Sequence, residues 1–134
     1  MPPMTNESQS DLRIEATQSS PSIVAEWGRG VITMRGESYP ENSFSIYEQI
    51  LDWLDQFLEK TEAPLSLDLE LNYLNTSSVR AMIELFDRLE AASQAGRSVA
   101  VRWRYDTRNP RAAELGEELR EDYAFPFAIL ALEP

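Results

Sequence analysis

Residues 65–78 read LSLDLELNYLNTSS, and this stretch decides the fold. Leu65, Leu67, Leu69, Leu71 and Tyr73 alternate with Ser66, Asp68, Glu70 and Asn72, the period-two pattern of a strand with one buried face. After Asn75-Thr76-Ser77-Ser78 the period changes. Val79, Met82, Ile83, Phe86 and Leu89 form the apolar stripe of a helix that runs to about Gln94, with Gly96 placed to end it. Ser98–Tyr105 then alternates again, with Val99, Val101, Trp103 and Tyr105 on one face and Ala100, Arg102 and Arg104 on the other. Strand, helix and strand make a βαβ unit, so the two strands are expected to be parallel. Both keep a polar face, which predicts helices mainly on one side of the sheet. If the strands are neighbours, Asp68 and Glu70 lie near Arg102 and Arg104, in exposed pairs worth about 0.2–1 kcal/mol each.

On the N-terminal side, Ser43–Lys60 is the clearest helix. Tyr47, Ile50, Leu51, Leu54, Phe57 and Leu58 recur at three- and four-residue steps, with Glu48, Asp52, Asp55 and Glu59 on the other side. Ser22–Trp27 and Val31–Arg35 are short strands joined through Gly28-Arg29-Gly30 as a hairpin. Gly36–Asn42 reads as a loop, with Asn42 or Ser43 capping the helix that follows. On the C-terminal side, Asn109-Pro110 caps and starts a helix to about Tyr123, and Phe127–Leu132 is a last strand. The expected class is α/β, in the order β-β-α-β-α-β-α-β. Residues 1–13 read as a flexible polar tail and 14–134 as one domain.

Composition removes most chemistry. The 134 residues hold 12 Lys+Arg against 23 Asp+Glu, a net charge of −11, with no Cys and no His. Disulfides, thiolate nucleophiles, imidazole bases and Cys/His zinc sites are excluded. Lys60 is the one lysine and lies in no phosphate-binding G-x-x-x-x-G-K-[ST] motif. A balance this acidic repels nucleic acid. Nothing approaches 18 consecutive apolar residues, and the first 20 residues lack a signal-peptide core, so a cytoplasmic protein without a membrane partner is expected. No cofactor or metal is implied.

Three features invite a functional reading. Between Arg35 and Arg80 lie Glu37, Glu41, Glu48, Asp52, Asp55, Glu59, Glu62, Asp68 and Glu70 against Lys60 alone, or 1 − 9 = −8. That stretch fits a solvated helix face, a docking face for a basic partner, or a carboxylate Mg²⁺ site. The Asn75–Ser78 cluster reads either as a helix N-cap, a job for which one residue suffices, or as a phosphoacceptor hydroxyl at the start of a helix. In the loop Gly36–Asn42, Tyr39-Pro40 stands between Glu37 and Glu41, as a turn or as a contact surface. If Val31–Arg35 and Leu65–Tyr73 are parallel, both segments open at one edge of the sheet, where open α/β sheets bind their ligands.

These two segments, Gly36-Glu37-Ser38-Tyr39-Pro40-Glu41-Asn42 and Tyr73-Leu74-Asn75-Thr76-Ser77-Ser78, together resemble the SiaC family of bacterial regulatory phosphoproteins. Arg102-Trp103-Arg104-Tyr105-Asp106 and Phe125-Pro126-Phe127 are similar to its later segments, so the likeness spans about residues 12–130. The resemblance implies a STAS-like mixed β-sheet and a partner-switching cycle without catalysis by the chain itself. A Ser/Thr protein kinase would phosphorylate Thr76, or its neighbour Ser77, and a PP2C-type phosphatase would reverse it. The unphosphorylated form would bind and activate a diguanylate cyclase, raising cyclic di-GMP and favouring biofilm growth. It also implies partner contact by Glu37, Ser38, Tyr39, Pro40, Glu41, Asn42, Asn75, Ser77 and Ser78. Two other classes stand beside it: a scaffold domain without a phospho-switch, and a small carboxylate or Mg²⁺-dependent enzyme built on Glu37 and Glu41 near Thr76.

Overall fold

The computed structural model describes residues 11–132, without the side chains of residues 43 and 44. Six strands form one sheet in sequence order: β1 (Leu12–Ile14), β2 (Ser22–Glu26), β3 (Val31–Ser38), β4 (Leu65–Leu74), β5 (Val99–Tyr105) and β6 (Phe127–Ala131). The first three are antiparallel, and β3 through β6 are parallel. The helices α1 (Ser43–Lys60), α2 (Thr76–Gln94) and α3 (Pro110–Arg120) are the three crossovers of the parallel part.

The helices lie on the face where Ile23, Ile32, Met34, Leu67, Leu69, Val101 and Trp103 are buried, as the polar alternate residues of β4 and β5 require. On the bare face Asp68 meets Arg104 at 2.9 Å and Arg102 at 4.0 Å. Glu70 pairs with Arg35 of β3 at 3.9 Å instead of a β5 arginine. Among the described residues no helix is long and apolar enough to cross a membrane.

Several expectations need correction. Leu12–Ile14 pairs with β2, so an extra strand precedes the predicted order and begins inside the segment read as a tail; the rest of that tail, residues 1–10, lies outside the described residues. Gly36–Ser38 continues β3 instead of forming a loop. The α2 stripe uses Leu85, while Ile83 is 36% exposed. Helix α3 stops at Arg120, and Asn109 caps nothing with its side chain.

The largest departure is at the end of β4. Gly36 pairs with Leu71, but the next pair is Glu37 with Tyr73, leaving Asn72 as an extra residue on β4. This bulge breaks the alternation: Asn72 and Tyr73 are both exposed and Leu74 returns to the core. Tyr73, expected in the buried row, is 53% exposed. Gly36 accommodates the irregularity at φ +122, a conformation closed to most side chains. The Asn72 carbonyl accepts from the Asn109 side-chain amide N–H at 2.8 Å.

The helix ends are tied to the sheet by polar groups. Arg97, just before β5, donates to the carbonyls of Leu58 (2.7 Å), Thr61 (2.6 Å) and Ala63 (2.9 Å), closing the C-terminal end of α1. At the opposite end Ser38, Tyr47 and Ser78 meet in a wholly enclosed cluster. The Ser38 hydroxyl shares hydrogen bonds with Ser78 Oγ at 2.7 Å and Tyr47 OH at 3.0 Å. Burial pushes the Tyr47 phenol above its ordinary pKa, against the two serine hydrogen bonds, so it stays neutral. Helix α3 is seated by Trp103, whose indole N–H donates to the Ala112 carbonyl at 2.9 Å. A methyl at Gly116 would lie 2.6 Å from the Trp103 ring.

Two stability measurements follow from this packing. Gly116→Ala is expected to lose about 1–3 kcal/mol in urea unfolding, although alanine is the better helix former by about 1 kcal/mol. A neutral or stabilising result would mean that α3 moves freely off Trp103. Ser38→Ala is expected to cost about 1–3 kcal/mol, since it removes the hydroxyl that bonds both Ser78 and Tyr47, against about 1 kcal/mol for Tyr47→Phe. Equal costs would deny Ser38 its central place in the cluster.

Candidate functional site

Because β3, β4 and β5 are parallel, the connections that follow them emerge at one edge of the sheet. Residues 39–42 lead into α1, Asn75 into α2, and residues 106–109 into α3. The antiparallel β2 begins at the same edge, so the β1–β2 connection is there as well. The Tyr39 N–H donates to the Ser19 carbonyl at 2.7 Å, and the Tyr39 hydroxyl to the Gln18 carbonyl at 2.9 Å. The Asn75 N–H reaches the Ser38 carbonyl at 2.9 Å, locking the segments 36–42 and 73–78 side by side.

Within these segments the residues divide sharply by exposure. Glu37, Tyr39, Glu41, Asn42, Thr76 and Ser77 are exposed, Asn75 is half-buried, and Ser38, Pro40 and Ser78 are buried. Ser38 and Ser78 therefore face one another and Tyr47, and no partner reaches their hydroxyls. They position the exposed residues beside them. Asn42 caps α1, accepting from the Ser45 N–H at 3.3 Å.

The three hydroxyls after Asn75 have three different environments. The Asn75 carboxamide oxygen caps α2, accepting from the Ser78 N–H at 2.9 Å and the Ser77 hydroxyl at 3.2 Å. Ser78 is held in the buried cluster. The Thr76 hydroxyl is exposed and takes no hydrogen bond among the described residues. Thr76 is also the first helical residue, where backbone N–H groups have no intrahelical acceptor.

Beside it stands an aromatic pair that sequence reasoning missed. The rings of Tyr39 and Tyr73 meet edge to face, 6.0 Å apart at 67°, and are 39% and 53% exposed. The missed signal is Gly36, a glycine at the end of a β-branched run, which marks a bulge in the ladder. Arg108, in the third connection, is held by Asp106 through hydrogen bonds of 3.0 and 2.6 Å. Those bonds hold the Asp106 carboxyl down to about 2.

The acidic stretch does not converge on this edge. Asp55 pairs with Arg88 at 2.7 Å, Asp68 with the β5 arginines, and Glu70 with Arg35. Among the described residues no three carboxylates gather to hold a metal. Glu37 and Glu41 are exposed and make no ion pair among the described residues.

Comparison with known proteins shows what the chain is similar to. The chain is 55% identical over 122 residues to an uncharacterized protein of Pseudomonas aeruginosa strain UCBPP-PA14, covering 91% of this chain and 97% of that one. A chain in the crystal structure of diguanylate cyclase SiaD in complex with its activator SiaC, from P. aeruginosa, is 54% identical. It superposes with a TM-score of 0.89, covering 91% of this chain and all of that one. The crystal structure of apo-SiaC from the same organism, also 54% identical, gives 0.88 over 90% of this chain and 98% of that one. Residues 14–132 match the description "SiaC family regulatory phosphoprotein". By both sequence and fold this chain belongs to the SiaC family of regulatory phosphoproteins.

Proposed function

We propose that the chain is a partner-switching activator of a diguanylate cyclase, governed by phosphate on Thr76. The observation that carries this reading is the free Thr76 hydroxyl. Of three adjacent hydroxyls, Ser77 is engaged with the cap and Ser78 is buried, while Thr76 is exposed and unengaged. A Ser/Thr kinase would join Thr76 Oγ1 to the γ-phosphorus of ATP, taking the hydroxyl proton as the bond to ADP breaks. A PP2C-type phosphatase would return the hydroxyl by adding water to phosphorus and releasing inorganic phosphate.

The unphosphorylated edge suits a protein partner. Tyr39 and Tyr73 offer rigid, amphipathic contact area, the residue type that dominates binding hot spots, and Glu37 and Glu41 flank them with negative charge. The relative that is 54% identical activates a cyclase, which supports the same partner class for this chain. A phosphate adds a charge of about −1.5 to −2 at the centre of that edge. Burying it under a partner costs several kcal/mol without a partner cation. At about 1.4 kcal/mol per tenfold, such a cost is enough to release the cyclase.

Mass analysis after incubation with the chain's Ser/Thr kinase and Mg-ATP should show one phosphate, mapped to Thr76 and absent from Thr76→Ala. A phosphate on Ser77 would overturn the assignment. Calorimetry against the P. aeruginosa cyclase SiaD should find micromolar or tighter binding by wild type and Thr76→Ala. Thr76→Glu and Tyr73→Ala should each bind at least about tenfold more weakly, as losing about 1.4 kcal/mol requires. Uniform affinity across the four proteins would remove this edge from the interface.

A further inference from the structure

We infer that Arg80 is the internal counter-ion of a phosphate on Thr76, so that modification also withdraws this guanidinium from the surface a partner meets. The inference rests on the phosphothreonine reading and adds to it the residue that receives the phosphate. Thr76 and Arg80 are four residues apart on α2, hence neighbours on one helix face. Side chains on a helix lean toward its N-terminus, which directs Arg80 back over the turn that carries Thr76.

Seven of the other eleven cations are committed, and of the uncommitted ones Arg13, Lys60, Arg111 and Arg120 lie on β1, α1 and α3, which leaves Arg80 as the free cation of α2 among the described residues. Arg29, Arg35, Arg88, Arg102, Arg104 and Arg108 each hold a carboxylate, and Arg97 is spent on the carbonyls that end α1. Arg80 is exposed and has no ion pair among the described residues. It borders a groove between α1 and α2 together with Ser77, Glu48, Asp52, Glu84 and Arg88. Three carboxylates thus share its groove and none holds it, while Arg88 is held by Asp55. A phosphate one turn away offers three oxygens at higher charge density than any carboxylate, in a geometry that suits the planar guanidinium fork.

The consequence concerns the sign of the surface. Before modification the exposed face of the first α2 turns carries Arg80 as its cation. Afterwards Arg80 and the phosphate together carry about −0.5 to −1, and the guanidinium donors point inward to the phosphate. A partner that meets this face loses a cation and gains an anion in one step.

The test uses the full chain with phosphothreonine encoded at position 76, so that it does not depend on any kinase. The second ionisation of the phosphate is followed by ³¹P NMR in this protein and in versions also carrying Arg80→Gln or Arg80→Lys. Removing an adjacent cation should raise that midpoint by about 0.15–0.4, while lysine should restore most of the difference. The Arg80 Nε–H resonance should move downfield on phosphorylation. Identical midpoints in wild type and Arg80→Gln, or an unmoved Nε–H, would overturn the pairing. Failure of a kinase to modify Thr76 would instead overturn the switch and leave this result standing.

Discussion

The shared hydrogen bonds of Ser38, Tyr47 and Ser78 are the constraint on which the arrangement of the site depends. One hydroxyl comes from the end of β3, one from the second turn of α1, and one from the first turn of α2. Inside a protein such groups are costly unless every one is satisfied, so the three are held in one relative placement. That placement sets where the N-termini of both helices meet the sheet edge. Thr76 lies two residues from one member, and Tyr39 lies next to another. The exposed chemistry of the edge is therefore mounted on a rigid buried joint.

The β4 bulge does complementary work. A regular strand would bury Tyr73 under the helices and leave the edge with a single tyrosine. One additional residue, Asn72, reverses the facing of Tyr73 and brings its ring against Tyr39. The irregularity is supported on both sides: Gly36 adopts the conformation it requires, and Asn109 satisfies the carbonyl it frees. An exposed aromatic pair is thus the product of a local break in pattern with its own dedicated supports.

Much of this was legible in the sequence. The alternation of Leu65–Leu71 fixed a strand and its buried face, and the heptad-like spacing in Ser43–Lys60 fixed a helix whose bounds agree with the structure. Both segments of the candidate site were visible as chemistry: a polar cluster before a helix and an aromatic-proline loop between glutamates. Their adjacency followed once the strands were taken as parallel. What stayed hidden were effects between segments distant in the chain. The facing of Tyr73 depends on a register shift against Gly36, and the burial of Ser38 and Ser78 depends on Tyr47 reaching both. Neither is encoded in a local period. Leu12–Ile14 was missed for a related reason, since three residues are too few to show a pattern and gain their structure from pairing with β2.

The alternation of exposed and buried residues along Glu37–Asn42 and Asn75–Ser78 has a consequence for how such proteins diverge. Ser38, Pro40 and Ser78 are buried and answer to the fold, while Glu37, Tyr39, Glu41, Thr76 and Ser77 face outward. The two sets interleave in the chain. Substitution in the outward set can proceed at little cost in folding free energy, and a duplicated gene could acquire a new client without first acquiring a new scaffold. The inward set would change slowly and in concert, because each hydroxyl is answerable to the others.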